Sequence, residues 1–247
     1  MLKQLLASIG VGSATVDTQI DNPELAPGQL LQGQVVAQGG HSAQHIEKIE
    51  LVLMTQATDD HRQNSPTQAW PLCRLPICGA FDIAAGETRY FPFQMTLPLE
   101  TPVNAVRTDG GAMPLVWVHT DLAIAAGVDS DDRDSLLVRP GAALHTLLDA
   151  FSRLDWRVHD SQVAIGAVQI GAIHSTLGCH QRITLRPHGG NWRIQTLTLR
   201  CVHDGHHLHV QVAVDDQTGG DSRHNLVMPA HFARQDWVAI LRETLLL

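Results

Sequence analysis

An alternation of apolar and polar residues with period two, recurring along the whole chain and punctuated by Gly, Pro, Asn and Asp, is what most constrains this sequence. Leu31, Gly33, Val35 and Ala37 place apolar or small groups on one side, while Gln32, Gln34 and Gln38 lie on the other. Ile49, Leu51 and Leu53 alternate with Lys48 and Glu50, and Phe91, Phe93, Met95 and Leu97 alternate with Pro92, Gln94, Thr96 and Pro98. A strand projects successive side chains to opposite faces, so each segment has one wet face and one dry face. Strands of that kind pack as two antiparallel sheets, whereas those of a parallel α/β sheet are apolar throughout. The predicted class is all-β: antiparallel β-sandwich domains with a few short helices.

The sharpest local prediction lies at Asp204-Gly205, which matches a two-residue type I′ hairpin turn between two alternating runs. That turn sets His203 opposite His206, Cys201 opposite Leu208, Leu199 opposite Val210 and Leu197 opposite Val212. Nearly every apolar residue then falls on one face. The other carries Thr198, Arg200, Val202, His207, His209 and Gln211, and a slip of one residue would exchange the two faces.

Between the halves, Gly127 to Asp134 holds Asp129, Asp131, Asp132 and Asp134 and reads as a solvated interdomain loop. A short strand, Leu136 to Arg139, precedes Pro140-Gly141, and the boundary is placed there: an N-terminal domain over 1–139 and a C-terminal domain over 140–247. Leu144, Leu147, Leu148, Phe151 and Leu154 recur at the spacing of one helical face, so a helix is expected to open the second domain. Leu2, Leu5, Leu6 and Ile9 form a shorter helical pattern at the start, and Trp237, Ile240 and Leu241 another near the end.

Composition excludes more than it identifies. With 17 Lys and Arg against 25 Asp and Glu, the 247-residue chain carries a formal charge of −8 and has no basic cluster for nucleic acid. No apolar run approaches the roughly 20 residues that cross a bilayer, so no integral membrane segment is expected. Met1 to Gly10 lacks a signal peptide's apolar core and cleavage site, which gives a cytoplasmic expectation. Cys73, Cys78, Cys179 and Cys201 lack the paired spacing of a structural zinc site and read as reduced thiols.

Catalytic signatures are missing: there is no G-x-S-x-G elbow, H-E-x-x-H, P-loop or G-x-G-x-x-G. No enzyme activity and no cofactor are expected. Fifteen histidines against one tyrosine stand out, and four of them lie in His203-Asp204-Gly205-His206-His207-Leu208-His209. His207 and His209, two apart on a strand, share a face and could hold a transition metal, with His180, His188 or Asp215 as the nearest third ligands. The plainer reading is that these histidines decorate a solvated hairpin, since a zinc site also needs a supporting shell and a defined fourth position. The stretch from Asp129 fails as a calcium loop, because position 6 is Asp134 where glycine is needed and position 12 is Pro140.

Several N-terminal segments together carry a resemblance: Lys3 to Gly12, Val16-Asp17-Thr18, Pro27-Gly28 leading to Gly33, and Gly39-Gly40 ahead of Ile46 to Leu51. Phe91-Pro92-Phe93 then leads to Leu97-Pro98 and Thr101-Pro102-Val103, and Asp129 to Asp134 closes the set. In order and spacing they resemble the bacterial sporulation-control family, the sporulation stage-zero M proteins, which are similar to arrestins. The likeness covers residues 1 to 140 well and the remainder in outline. It implies two arrestin-like β-sandwiches and a non-catalytic adaptor or regulatory role. It also implies that Arg133, Asp134 and Arg139 lie near a polar interdomain contact.

The function expected is therefore a non-catalytic adaptor of the sporulation-control type, binding an unidentified protein partner, with a homo-oligomer as a further possibility. Candidate interaction residues are Asp129, Asp131, Asp132, Arg133, Asp134, Arg139 and Arg200. The alternative is a metal-binding protein or metal-dependent hydrolase that uses His207 and His209.

Overall fold

The computed structural model describes residues 12–59, 65–125, 127–189, 193–216 and 222–246, which fall into two compact units. The first comprises the described residues up to Thr55, Trp70–Leu97 and Val116–Leu137. The second comprises those of Gln56–Ala69 and Pro98–Leu115 and those from Val138 onward. The helical pattern at Leu2 to Ile9 lies outside the described residues.

Strands of the first unit are β1 (Thr15–Ile20), β2 (Glu24–Leu25), β3 (Leu30–Gln38), β4 (Gln44–Ala57), β5 (Gln68–Cys78), β6 (Phe81–Ile83), β7 (Thr88–Thr96), β8 (Val116–Ile124) and β9 (Ser130–Ser135). One sheet has the order β1-β3-β7 and the other β5-β4-β8-β9, with β6 also pairing β4. The pairs β1 with β3, β3 with β7, β4 with β8 and β8 with β9 are antiparallel, as the alternation predicts. Leu31, Val35 and Ala37 of β3, Ile49, Leu51 and Leu53 of β4, and Val118 and Leu122 of β8 are fully buried. Burial of each of the larger aliphatic side chains contributes about 1.5–3 kcal/mol. Gly40 is required by a close approach, since a Cβ there would stand 1.9 Å from the Gly12 carbonyl oxygen.

Strand β9 corrects the sequence reading of Asp129 to Asp134 as a loop. Its residues pair with β8 from Trp117 opposite Ser135 to Leu122 opposite Ser130. Aspartate and serine are poor strand formers, but β8 needs partners for its backbone groups, and that tertiary demand overrides local propensity.

After β10 (Leu137–Val138), the helix α1 (Ala142–Arg153) lies where the periodicity places it, burying Leu144, Leu147, Ala150 and Phe151. The remaining strands are β11 (Trp156–Ile165), β12 (Gln169–Ile170), β13 (Ile173–His174), β14 (Cys179–Pro187), β15 (Ile194–His203), β16 (Leu208–Asp216) and β17 (Ser222–Met228). They form an antiparallel sheet of order β11-β14-β15-β16-β17 and a small β12-β13 hairpin. The C-terminal helix α2 (Trp237–Leu245) is capped by Asp236, whose carboxylate accepts the Ala239 N–H, and it buries Trp237, Leu241 and Leu245. Helix α2 packs against α1.

Two excursions of the N-terminal half join this second unit, which a single cut at 139/140 does not anticipate. Thr58 donates its N–H to the Val163 carbonyl at 2.9 Å and accepts the Ile165 N–H at 3.0 Å. Gln181 clamps Val103 from both sides, accepting its N–H at 2.8 Å and donating to its carbonyl at 2.7 Å. Asn104 donates its backbone N–H to the Val138 carbonyl at 2.9 Å and accepts the Val138 N–H on its side-chain oxygen at 2.7 Å. These partners are far apart in sequence, and no local pattern announces them.

Candidate functional site

The loop between β15 and β16 holds the histidine-rich hairpin, and its geometry departs from the predicted turn. His203 pairs with Leu208, Cys201 with Val210, Leu199 with Val212 and Leu197 with Val214, a register two residues away from that of a two-residue turn. The cause is Asp204. Its Oδ1 accepts the N–H groups of His206 at 2.8 Å and His207 at 2.7 Å, and its own N–H reaches the His207 carbonyl at 3.2 Å. This side-chain turn lengthens the loop to four residues, with Gly205 at φ 95°. A shift of two preserves the faces: Leu197, Leu199, Leu208, Val210, Val212 and Val214 are buried as expected.

With Oδ1 fixed by the backbone, the other carboxylate oxygen of Asp204 faces two imidazoles. Oδ2 lies 2.8 Å from His209 Nε2 and 3.2 Å from His207 Nδ1. The His209 hydrogen bond, then the two backbone N–H groups, hold the Asp204 carboxyl well below the usual carboxylate range. His203 Nδ1 accepts the Gly205 N–H at 2.9 Å, and burial pushes its imidazole below the ordinary histidine value. The three sequence candidates for a third ligand are engaged elsewhere. His180 Nδ1 meets the Gly166 carbonyl, Asp215 accepts the Thr196 hydroxyl, and His188 lines a separate cavity beside Asp149 and Arg157. Asp204, the residue the sequence reading passed over, completes the group, and its signal was an aspartate opening a turn directly before the histidines.

On the same sheet, the face opposite the apolar core carries two largely polar cross-strand rows. Gln162, Arg182, Arg200, Gln211 and Asn225 form one cross-strand row, and Asp160, Thr184, Thr198, Ala213 and Arg223 form the next. An open cleft of about 520 Å³ on this face is lined by Arg182, Arg200 and Arg223, with the carboxylates of Asp160 and Asp215 also in its lining. Arg182 stands directly opposite Arg200, an arrangement of like charges that costs stability in a sheet. Arg182 donates to Gln162 at 3.4 Å and Arg200 donates to Gln211 at 3.2 Å. Arg200 was among the sequence candidates. Arg182 and Arg223 were not, because their alignment with it depends on the register of three strands.

The remaining candidates occupy β9 and its flanks. Asp129 accepts the Ile124 N–H at 2.9 Å, and Asp131, largely exposed, lies 3.9 Å from His119. Asp132 accepts the Thr18 N–H of β1 at 2.7 Å. The Arg133 guanidinium sits 4.0 Å from the centroid of the buried Trp117 ring, a cation–π contact. Asp134 has a buried Oδ2 without a hydrogen-bond partner. Burial, then the charge and hydrogen bonding of Asp132 and the charge of Asp17, push its carboxyl up to about 6. Arg139 follows β10 on the surface. These residues form a strand surface, with the carboxylates of Asp17, Asp132 and Asp134 gathered on one side.

All four cysteines are free thiols. Among the described residues no helix is long and apolar enough to cross a membrane.

Comparison with known proteins agrees with this fold. The family model described as Spo0M, SpoOM protein, matches residues 2–218. The sporulation-control protein Spo0M of Bacillus subtilis is 34% identical over 164 residues, which span 64% of this chain and 59% of that protein's length. The crystal structure of Spo0M from Bacillus subtilis superposes with a TM-score of 0.79 at 25% identity, covering 94% of this chain and 98% of that one. A match over most of the chain's length, joined to an all-β fold shared nearly end to end, places this protein in the Spo0M sporulation-control family.

Proposed function

We propose that this protein is a non-catalytic adaptor that acts by binding an acidic segment of another protein on the polar face of the β11-β14-β15-β16-β17 sheet. The observation that supports this reading is the arginine-lined cleft. Three arginines from β14, β15 and β17 meet there, two of them directly opposite each other, on a chain whose net charge is −8. Guanidinium groups brought together on one face offer fork-shaped, charge-assisted hydrogen bonds to an incoming carboxylate. The threonines and amides between the arginines supply donors and acceptors for a backbone laid across the strands. The Spo0M relative is named a sporulation-control protein, which agrees with regulation by binding. A cytoplasmic location belongs to the same proposal.

The test uses the full chain, crosslinked in its native cells and purified beside an Arg182→Gln/Arg200→Gln/Arg223→Gln variant whose unfolding matches the parent. A reproducible set of partners captured by the parent and depleted at least tenfold with the variant supports the reading. Equal capture by both, or no partner enriched over a mock purification, overturns it. If the captured species is a second copy of this chain, light scattering that shows a dimer only in the parent identifies self-association through the same face.

A further inference from the structure

We propose that Asp204, His207 and His209 form a binding site for a divalent transition-metal ion, with zinc the best match to their donors. The inference does not depend on the docking face described above. It rests on convergence: the carboxylate oxygen and the two ring nitrogens all lie within 4.8 Å of one another, on a loop and strand joined by a single hairpin. Donors around a tetrahedral zinc at its usual bond lengths stand about 3.4 Å apart. Asp204 Oδ2 is already 2.8 Å from one nitrogen and 3.2 Å from the other. The two oxygen–nitrogen separations need to open by less than about 1 Å to admit an ion, well within a side-chain adjustment.

Zinc sites need more than donors, because ligands must be held in place by a supporting shell. Here the loop supplies it. Asp204 Oδ1 is held by two backbone N–H groups, so the carboxylate presents Oδ2 toward the imidazoles before any ion arrives. His209 is anchored in β16, opposite Val202, with its side chain only 15% exposed. His207 is 42% exposed, which leaves the ion open to solvent on one side. Two imidazoles and one carboxylate suit zinc better than the hard cations calcium and magnesium, which take oxygen ligands. Three protein ligands leave a fourth position for water or for a side chain of a bound partner.

The alternative role for this trio is a hydrogen-bonded loop brace, and one substitution separates the two. Asp204→Asn keeps the oxygen that caps the His206 and His207 N–H groups but removes the charged ligand. Untagged, chelator-treated full-length protein is titrated with zinc chloride by calorimetry. One zinc per chain is expected, with at least tenfold weaker binding in Asp204→Asn and loss of the site in His207→Ala/His209→Ala. His224→Ala, a histidine on β17 outside the trio, should bind like the parent. As a readout that needs no variant, zinc should shift the imidazole NMR signals of His207 and His209 in the parent chain. No stoichiometric binding by the parent, equal affinity in the double variant, or unmoved His207 and His209 signals would each overturn the proposal.

Discussion

Replacing Asp134 with asparagine should stabilise this protein at neutral pH and stop doing so in acid. The carboxyl of Asp134 has a buried, unpartnered oxygen and shares its surroundings with Asp132 and Asp17. Its proton is held up to about pH 6 in the folded chain, against an ordinary value of 3.8. A group whose folded pKa is raised contributes stability below its unfolded pKa and loses that contribution as pH rises through the folded one. Above pH 6 the ionised side chain is therefore a burden. The interval from 3.8 to about 6, at about 1.36 kcal/mol per pH unit, sets a ceiling of about 3 kcal/mol. Because the side chain is only half-buried, water screens much of this, and about 1 kcal/mol is the expected gain for Asp134→Asn at pH 7.5. That corresponds to a rise of roughly 2–4 °C in the melting temperature. Urea unfolding of both proteins at pH 7.5 and pH 4.5, followed by circular dichroism, is the assay. The gain should shrink toward zero at pH 4.5, where the parent carboxyl is itself protonated. A variant no more stable than the parent at pH 7.5, or an advantage that persists unchanged in acid, would refute the reasoning.

Other substitutions probe the packing that positions the site. Gln181→Leu strips both hydrogen bonds from the backbone of Val103, which is 2% exposed, and should cost about 2–4 kcal/mol in urea unfolding of the full chain. A loss below about 0.5 kcal/mol would mean that the clamp does not hold 98–115 in place. Arg133→Ala removes the guanidinium from Trp117 and should cost about 0.5–1 kcal/mol, with red-shifted tryptophan emission as the ring meets water. Burial pushes the Cys201 thiol up to about 12 and the Cys179 thiol up to about 11. Since the thiolate is the nucleophile, neither should react with a disulfide reagent at pH 8 until denaturant is added, and peptide mapping of the labelled protein checks this.

The two registers involved in the candidate sites show where sequence reasoning reaches its limit. In β15 and β16 the alternation assigned Leu197, Leu199, Leu208, Val210 and Val212 to the buried face, yet it paired Cys201 with Leu208 where the structure pairs it with Val210, and it put the buried Val202 among the polar side chains. Asp-Gly is a strong signal for a two-residue turn, but the Asp204 carboxylate offered the backbone a competing set of partners. The same local chemistry then brought Asp204 to His207 and His209. The departure from the two-residue turn and the third member of the trio thus have one cause. His207 and His209 were legible because two residues of the same type, two apart in a strand, must share a face.

What the sequence determined by itself is whatever depends on neighbours along the chain. The period of two decided strands and their buried faces, the 3.6 period decided the helices at Ala142–Arg153 and Trp237–Leu245, and the ordered segments carried the family resemblance. Tertiary structure alone decided the rest. It made a strand of the acidic segment Ser130–Ser135 because β8 required a partner, and it set Arg182 opposite Arg200. It also drew 98–115 into the second unit through the Gln181 clamp. The physical reason is common to all three: backbone hydrogen bonds must be satisfied by whichever groups folding brings near, and a one-dimensional pattern records which face a residue takes without recording which residue it will meet.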